Sequence, residues 1–382
     1  MAAMRIAIVG TRGIPAAYGG FETLAWELSW RLASRGHEVT VYCRRGRTDE
    51  SIDVPEGVRR RFLPYLPGKY FETVSHTALS ALDSVLRGYD AMWVGNAANA
   101  MFCGIPRVRG TRVVLNVDGI ERQRAKWGLA GRAWYAVGER LALHFPTAIV
   151  SDADVIRDYY LERYRKRSAV IAYGAPLLDR EPQPDLARHG LEGIEPGRYI
   201  LYVSRLEPEN QADLVIQAYR DVPGDVPLLV VGDAPYAPAF KARLAELAAL
   251  DPRVRLPGAI YGEGYRDLQR SAMAYIQATS VGGTHPALIE AMGAGNLVLA
   301  YRTPENVEVT AGTGLLFGDA AELTGHLARI VSEPWSPEFE ALRTSARKRA
   351  ETHYSWDAVT TAYERLWSRL GAGDAADVGV AQ

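Results

Sequence analysis

Cysteine is scarce in this sequence. Cys43 and Cys103 are the only two in 382 residues, which excludes a disulfide framework and fits a reducing compartment. No apolar run reaches the length of a membrane-spanning helix. The opening MAAMRIAIVG runs straight into a strand pattern with no separate signal peptide, so the expected location is cytoplasmic. No repeat of solenoid period is present. Net charge is nearly absent, at −1, but it is unevenly spread. Residues 1–170 hold 25 Lys/Arg against 17 Asp/Glu, and the remainder hold 19 against 28. The basic half points to an anionic partner or membrane surface, or to ordinary solvated arginine. The acidic half argues against a nucleic-acid partner.

What is present suffices for two globular α/β domains. Arg5–Gly10 (RIAIVG) reads as a buried strand, followed by a glycine loop to Gly20, a helix Phe21–Ser34 and a strand Glu38–Cys43. The close G-x-G-x-x-G spacing of a dinucleotide fold is missing, and the second strand ends in Arg44-Arg45 rather than an acid. Those arginines keep a phosphorylated ribose, and so an NADP enzyme, as an alternative. Residues 50–70 read as a turn-rich crossing and 71–88 as a helix. RVVLNV (112–117) is a strand ending in Asp118-Gly119, either a plain turn or a place for Asp118 to reach a substrate. The arginines and aromatics of Ile120–Phe145 suit lipid headgroups, or a helix packed on its own domain with charges outward. Asp152-Ala153-Asp154 spells a metal motif, but its position before a helix makes Ser151 or Asp152 the expected N-cap. Prolines near 173–196 mark a hinge, and Tyr199–Ser204 opens the second domain with Arg205 just past the strand.

The stretch Thr279–Pro304 carries the densest signal. Gly282-Gly283-Thr284 leads into a helix with Pro286 in its first turn, an arrangement that offers backbone N–H groups to an anion. At about 100° per residue Leu288, Ile289 and Met292 share one side, and Glu290 stands opposite among Pro286, Ala287, Gly293 and Ala294. One carboxylate on a face of small residues is suited to a close neighbour, whether a ligand or tight packing.

Ile8–Thr23 (IVGTRGIPAAYGGFET), Pro208–Asn210 (PEN), Gly282–Asn296 (GGTHPALIEAMGAGN) and Thr303–Val309 (TPENVEV) together resemble glycosyltransferase family 4 over residues 4–370, in its bacterial rhamnosyltransferase-like branch. The resemblance implies two facing Rossmann-like domains, the GT-B fold, with the C-terminal helix returning toward the first. The domains expected are 1–176 on the acceptor side and 177–370 binding the nucleotide sugar, then a disordered tail at 371–382. It implies a retaining, metal-independent hexosyltransferase with no cofactor beyond a nucleotide-sugar co-substrate. The donor expected is dTDP-L-rhamnose, with a UDP- or GDP-sugar, or binding without catalysis, as alternatives. The acceptor expected is a saccharide or lipid-linked saccharide, with peripheral membrane contact.

By the same resemblance Arg205 neutralises the leaving diphosphate and Glu290 holds the ribose. Gly19 and Gly20 cover phosphates and sugar, and Gly283, Thr284 and His285 face the donor sugar. Three positions depart from the pattern. Gly282 stands where the first glutamate of E-x7-E belongs, and Asn210 replaces a lysine among the donor-binding residues. Asp118, expected to orient donor or acceptor, replaces a histidine.

Overall fold

The computed structural model describes residues 2–15, 19–68, 71–117, 119–120, 122, 128–180 and 183–372. Their contacts divide the chain into two compact units, one running to Tyr173 and resuming at Trp356, the other Gly174–Ser355.

The first unit contains β1 (Arg5–Val9), α1 (Gly20–Ser34), β2 (Glu38–Arg44), β3 (Val58–Leu63), α2 (Glu72–Arg87) and β4 (Ala91–Gly95). A 3-10 turn at Ala97–Cys103 leads to α3 (Gly104–Arg107), β5 (Arg112–Asn116), α4 (Leu129–Leu141), β6 (Ala148–Ser151), α5 (Asp154–Tyr164) and β7 (Ala169–Val170). All pairings are parallel, in the order β3-β2-β1-β4-β5-β6-β7. Ala7, Val9, Met92, Val94, Val113 and Leu115 line one face of this sheet. Both faces are covered, so the central strands read as unbroken apolar runs.

Strand β3 was not legible as one. Its VRRRFL lacks alternation because it lies at the sheet edge, where Arg60 reaches the carbonyls of Asp49, Glu50 and Ile52. The expected cap by Ser151 or Asp152 is also corrected. Helix α5 starts one residue later, with Ala153 as an N-cap that makes no side-chain bond and Asp154 already in the first turn.

The second unit contains β8 (Ile200–Val203), α6 (Ala212–Tyr219), β9 (Leu228–Val231), α7 (Pro238–Ala248), β10 (Val254–Gly258), α8 (Gly262–Ser271) and β11 (Ala274–Gln277). Then come α9 (Pro286–Gly293), β12 (Leu297–Tyr301), α10 (Pro304–Thr310), β13 (Leu315–Phe317), α11 (Ala320–Ser332) and α12 (Pro337–His353). The sheet order is β10-β9-β8-β11-β12-β13, again parallel. Gly232 follows β9, and a Cβ there would lie 1.8 Å from the Ser204 carbonyl oxygen. Only glycine lets the two strand exits come this close.

The last helix, α13 (Trp356–Gly371), belongs by contact to the first unit, whereas the sequence division ran the second domain to 370. Its aromatic face explains the docking. Tyr363 and Trp367 are fully buried, and the Tyr363 hydroxyl accepts from Trp93 Nε1 on β4 and Asn116 Nδ2 on β5, each at 3.2 Å. The expected tail lies outside the described residues from 373 onward.

Helix α2 buries His76 completely, and among the described residues the Cys43 backbone is the one acceptor near its ring. Burial, with the Arg44 charge nearby, lowers its pKa from 6.5 to about 4. Between those values the unfolded chain takes up a proton that the fold refuses. Stability is therefore full above pH 6.5 and falls by up to about 3 kcal/mol as the pH drops to 4. In urea titrations at neutral pH and near pH 4, a His76→Leu variant should lose less stability on acidification than the parent chain. Equal losses would contradict this account.

Candidate functional site

In the second sheet, strand order reverses between β8 and β11, and a parallel sheet opens a crevice at the carboxyl ends of such strands. The chain leaving β8 carries Arg205, whose guanidinium lies 3.7 Å from the Glu207 carboxylate. Glu207 is 1% exposed and accepts from the Tyr236 hydroxyl at 2.5 Å. The turn Pro208–Asn210 is braced against this exit. Asn210 Nδ2 donates to the Arg205 carbonyl at 2.6 Å, and the Asn210 carbonyl accepts from the Tyr202 hydroxyl at 2.7 Å. The Asn210 side chain thus lies buried beneath the loop that presents Arg205. The turn is also tied to the β11 exit. Ser280 N and Oγ donate to the Glu209 carbonyl at 2.9 and 3.0 Å, and Gln211 Nε2 donates to the Ala278 carbonyl at 2.7 Å.

Past that exit the chain runs through Gly282, Gly283 and Thr284 to His285, the N-cap of α9, with Pro286 opening the helix. Asn306 fixes the geometry of His285. Both N–H bonds of the Asn306 amide go to carbonyls, Tyr301 at 2.8 Å and Thr279 at 3.4 Å. Its Oδ1, 2.9 Å from His285 Nδ1, must therefore accept, so Nδ1 carries a proton and Nε2 is the ring's other polar atom. A Cβ on Gly282 would meet that Nε2 at 2.6 Å. The imidazole fills the space a side chain at 282 would need, so the missing glutamate has a steric counterpart.

Glu290 is half-buried on α9 and accepts from the hydroxyl of Tyr265, itself half-buried on α8, which Gln269 Nε2 also approaches at 2.9 Å. Burial first, then the Glu290 charge, pushes the Tyr265 phenol well above its ordinary pKa, so it stays a donor. The small face of α9 has a packing role as well, since a Cβ on Gly293 would lie 2.3 Å from the Pro176 carbonyl oxygen. Arg205, Asn210, Gly283, Thr284, His285 and Glu290 therefore all belong to the second unit, most of them around one crevice. Glu207, Tyr265, Gln269 and Asn306 support them and were not foreseen. Only Asn306 lay within a motif, and the spacing of Tyr265 and Gln269 gave no hint of Glu290.

In the first unit Gly10 leaves β1 at φ 94°, and a Cβ there would lie 2.6 Å from the Gly95 carbonyl oxygen. Gly19 is the extended N-cap of α1, and Gly20 its first residue. Arg12 N–H donates to Glu22 Oε1 at 2.9 Å, and burial raises the Glu22 pKa despite that bond. Arg44 is buried and bonded to Glu72 at 2.8 Å, with Arg47 on the other carboxylate oxygen at 3.0 Å. This corrects the NADP alternative, because Arg44 is committed inside the fold and Arg45 alone is exposed. Asp118 lies outside the described residues. Among the described residues no group of three His, Cys, Asp or Glu gathers as metal ligands.

Residues 18–177 match the family model described as Glycosyltransferase Family 4, and residues 197–333 match the one described as Glycosyl transferases group 1. The chain belongs to these glycosyltransferases. Its fold is shared with sucrose-phosphate synthase from Thermosynechococcus elongatus, at 21% identity over 97% of this chain and 99% of that one, with a TM-score of 0.78. HepE from Anabaena, in complex with UDP-glucose, matches at 15% identity over 96% of this chain and 99% of that one, with a TM-score of 0.74. The catalytic domain of starch synthase IV from Arabidopsis thaliana, bound to ADP and acarbose, matches at 15% identity over 97% and 100%, with a TM-score of 0.73. These likenesses establish the GT-B fold of the glycosyltransferase.

Proposed function

We propose that this glycosyltransferase is a retaining, metal-independent enzyme that moves L-rhamnose from dTDP-L-rhamnose to a saccharide or lipid-linked saccharide during cell-surface polysaccharide synthesis. The reading rests on one observation. Arg205 follows β8, and the glycine loop and the helix bearing Glu290 follow β11, the two strands that flank the switch point of the second sheet. Glu290 would accept from the ribose hydroxyls. Arg205 and the N–H groups of residues 283–285 would face the diphosphate, where negative charge grows as the glycosidic bond breaks. The acceptor oxygen bonds to the anomeric carbon on the side the phosphate leaves, and its proton passes to a phosphate oxygen. No protein nucleophile takes part. The chain's own cation and backbone donors carry the charge that a metal would otherwise balance.

A second reading, a UDP-sugar donor, is favoured by the neighbour solved with UDP-glucose. A thermal-shift panel of dTDP-L-rhamnose, UDP-glucose and GDP-mannose separates the two, because selective binding stabilises by mass action. Stabilisation by dTDP-L-rhamnose alone is expected. Selective stabilisation by another donor would replace the rhamnosyl assignment, and stabilisation by none would end the donor-site reading. Gly282→Ala should displace His285 and weaken sugar-nucleotide binding about tenfold, with a smaller effect on the free nucleoside diphosphate. Isothermal calorimetry with both ligands checks this, and equal losses for the two would remove His285 from the sugar side.

A further inference from the structure

Two helices of the first unit are amphipathic in the reverse sense. On α2 the buried residues are Glu72, His76, Thr77, Ser80, Ala81 and Ser84, with Ala81 the one apolar side chain among them. The Ser80 and Ser84 hydroxyls turn back to the helix carbonyls of His76 and Ala81, at 2.8 and 2.6 Å. The large apolar side chains point outward instead. Phe71, Leu79, Leu82 and Leu86 fall on one stripe, with Leu82 55% and Leu86 83% exposed. Helix α4 repeats the pattern. Gly131, Tyr135, Gly138 and Glu139 are buried, while Leu129, Ala133 and Val137 face out, Leu129 at 88% exposure.

Both helices pack on the turn Ala97–Cys103. A Cβ on Gly138 would lie 2.6 Å from the Ala97 carbonyl oxygen, and Met101 of the same turn is itself exposed. The two stripes therefore flank one element of the unit. A helix that buries serine and exposes leucine is not explained by its own core, and apolar stripes of this kind mark interaction surfaces.

Charge selects the occupant. The acids of α2 and α4 are all engaged within the unit. Glu72 is bonded to Arg44 and Arg47, Asp83 to Arg61 and Arg87, and Glu139 to Arg122. Among the described residues, the exposed charges on these two helices and on the α3 exit (104–110) are Arg87, Arg107, Arg109, Arg132 and Arg140. A second copy meeting this face about a twofold axis would set arginine against arginine. We propose that the α2–α4 face docks on an anionic lipid bilayer, with the leucines in the acyl boundary and the arginines at the phosphate headgroups. This rests on the lipid-linked acceptor reading for its purpose, and on the face alone for its physics.

The test is sedimentation of the full chain with vesicles of equal parts phosphatidylcholine and phosphatidylglycerol. The chain should bind at low salt and lose binding as salt rises. Leu82→Glu with Leu86→Glu should lower the bound fraction about tenfold or more, and Arg132→Glu with Arg140→Glu should lower it on anionic vesicles. All four positions are outward, so thermal melts should stay unchanged. Binding equal in the parent and the leucine variant would overturn the proposal, as would no binding at all. A parent chain that is dimeric by analytical ultracentrifugation beside a monomeric leucine variant would reassign the face to self-association. Donor thermal shifts on the same samples keep the two readings apart. Vesicle binding without nucleotide binding sinks the donor site alone, and nucleotide binding without vesicle binding sinks the docking face alone.

Discussion

Arg205→Ala should lower turnover about a thousandfold while the KM for the sugar nucleotide changes only a few-fold. On the proposed reading the guanidinium faces the phosphate oxygen that gains further negative charge as the glycosidic bond breaks, so its loss should fall more on the rate than on binding. Its placement is rigid. Asn210 Nδ2 holds the Arg205 carbonyl at 2.6 Å, and the Glu207 carboxylate, 3.7 Å away and backed by Tyr236, orients the guanidinium. Arg205→Lys keeps the charge but not the fork and should recover part of the rate. Single-turnover measurement with saturating donor reads the chemical step directly. An alanine variant at parental turnover would remove Arg205 from catalysis, and one that fails only in KM would make it a ground-state contact. A thermal melt close to the parent's excludes trivial unfolding, since the side chain is about one-third exposed.

Why Arg205 could be read from the sequence and Glu207 could not is a matter of range. Arg205 follows a four-residue buried strand, and α9 follows a glycine loop, so both signals are local. The groups that hold them are not. Tyr265 meets Glu290 from 25 residues away and Asn306 meets His285 from 21, and no periodicity encodes such pairings. Asn210 shows the opposite problem. Its motif position placed it among the donor-binding residues, while its side chain donates to the Arg205 carbonyl. Within the fold, β1, α1 and β2 were legible because burial on both sheet faces leaves clean apolar runs. Strand β3 carries three consecutive arginines at an edge, where solvent and loop carbonyls accommodate them, so its pattern imitated a loop. Helix α2 was legible as a helix, yet the direction of its apolar stripe was not, because periodicity gives a face and never says which way it points.

Glu364→Ala should destabilise the first unit by about 4 kcal/mol and release α13. Glu364 is 3% exposed and closes a chain of bonds across three elements. Met4 N–H donates to His37 Nδ1 at 3.0 Å, which leaves the imidazole proton on Nε2. That Nε2–H donates to Glu364 Oε1 at 2.8 Å, and Arg35 Nη1 donates to Glu364 Oε2. Arg35 keeps other partners on α13, Thr361 Oγ1 at 3.0 Å and the Asp357 carbonyl at 3.2 Å, so the guanidinium is only partly stranded by the mutation. The buried Nε2–H of His37 has no such substitute, and an unsatisfied buried donor is the larger part of the cost. Glu364→Gln keeps an acceptor for His37 but turns an NH2 toward Arg35, whose remaining partners are Thr361 and Asp357, so its cost should be smaller, about 2 kcal/mol. Urea unfolding followed by tryptophan fluorescence separates the variants, because Trp93 and Trp367 are fully buried where α13 meets the sheet. Limited proteolysis should cut the alanine variant first between Ser355 and Trp356. An alanine variant as stable as the parent would mean that Tyr363 and Trp367 hold the helix by apolar contact alone, with the polar chain contributing orientation but no net stability.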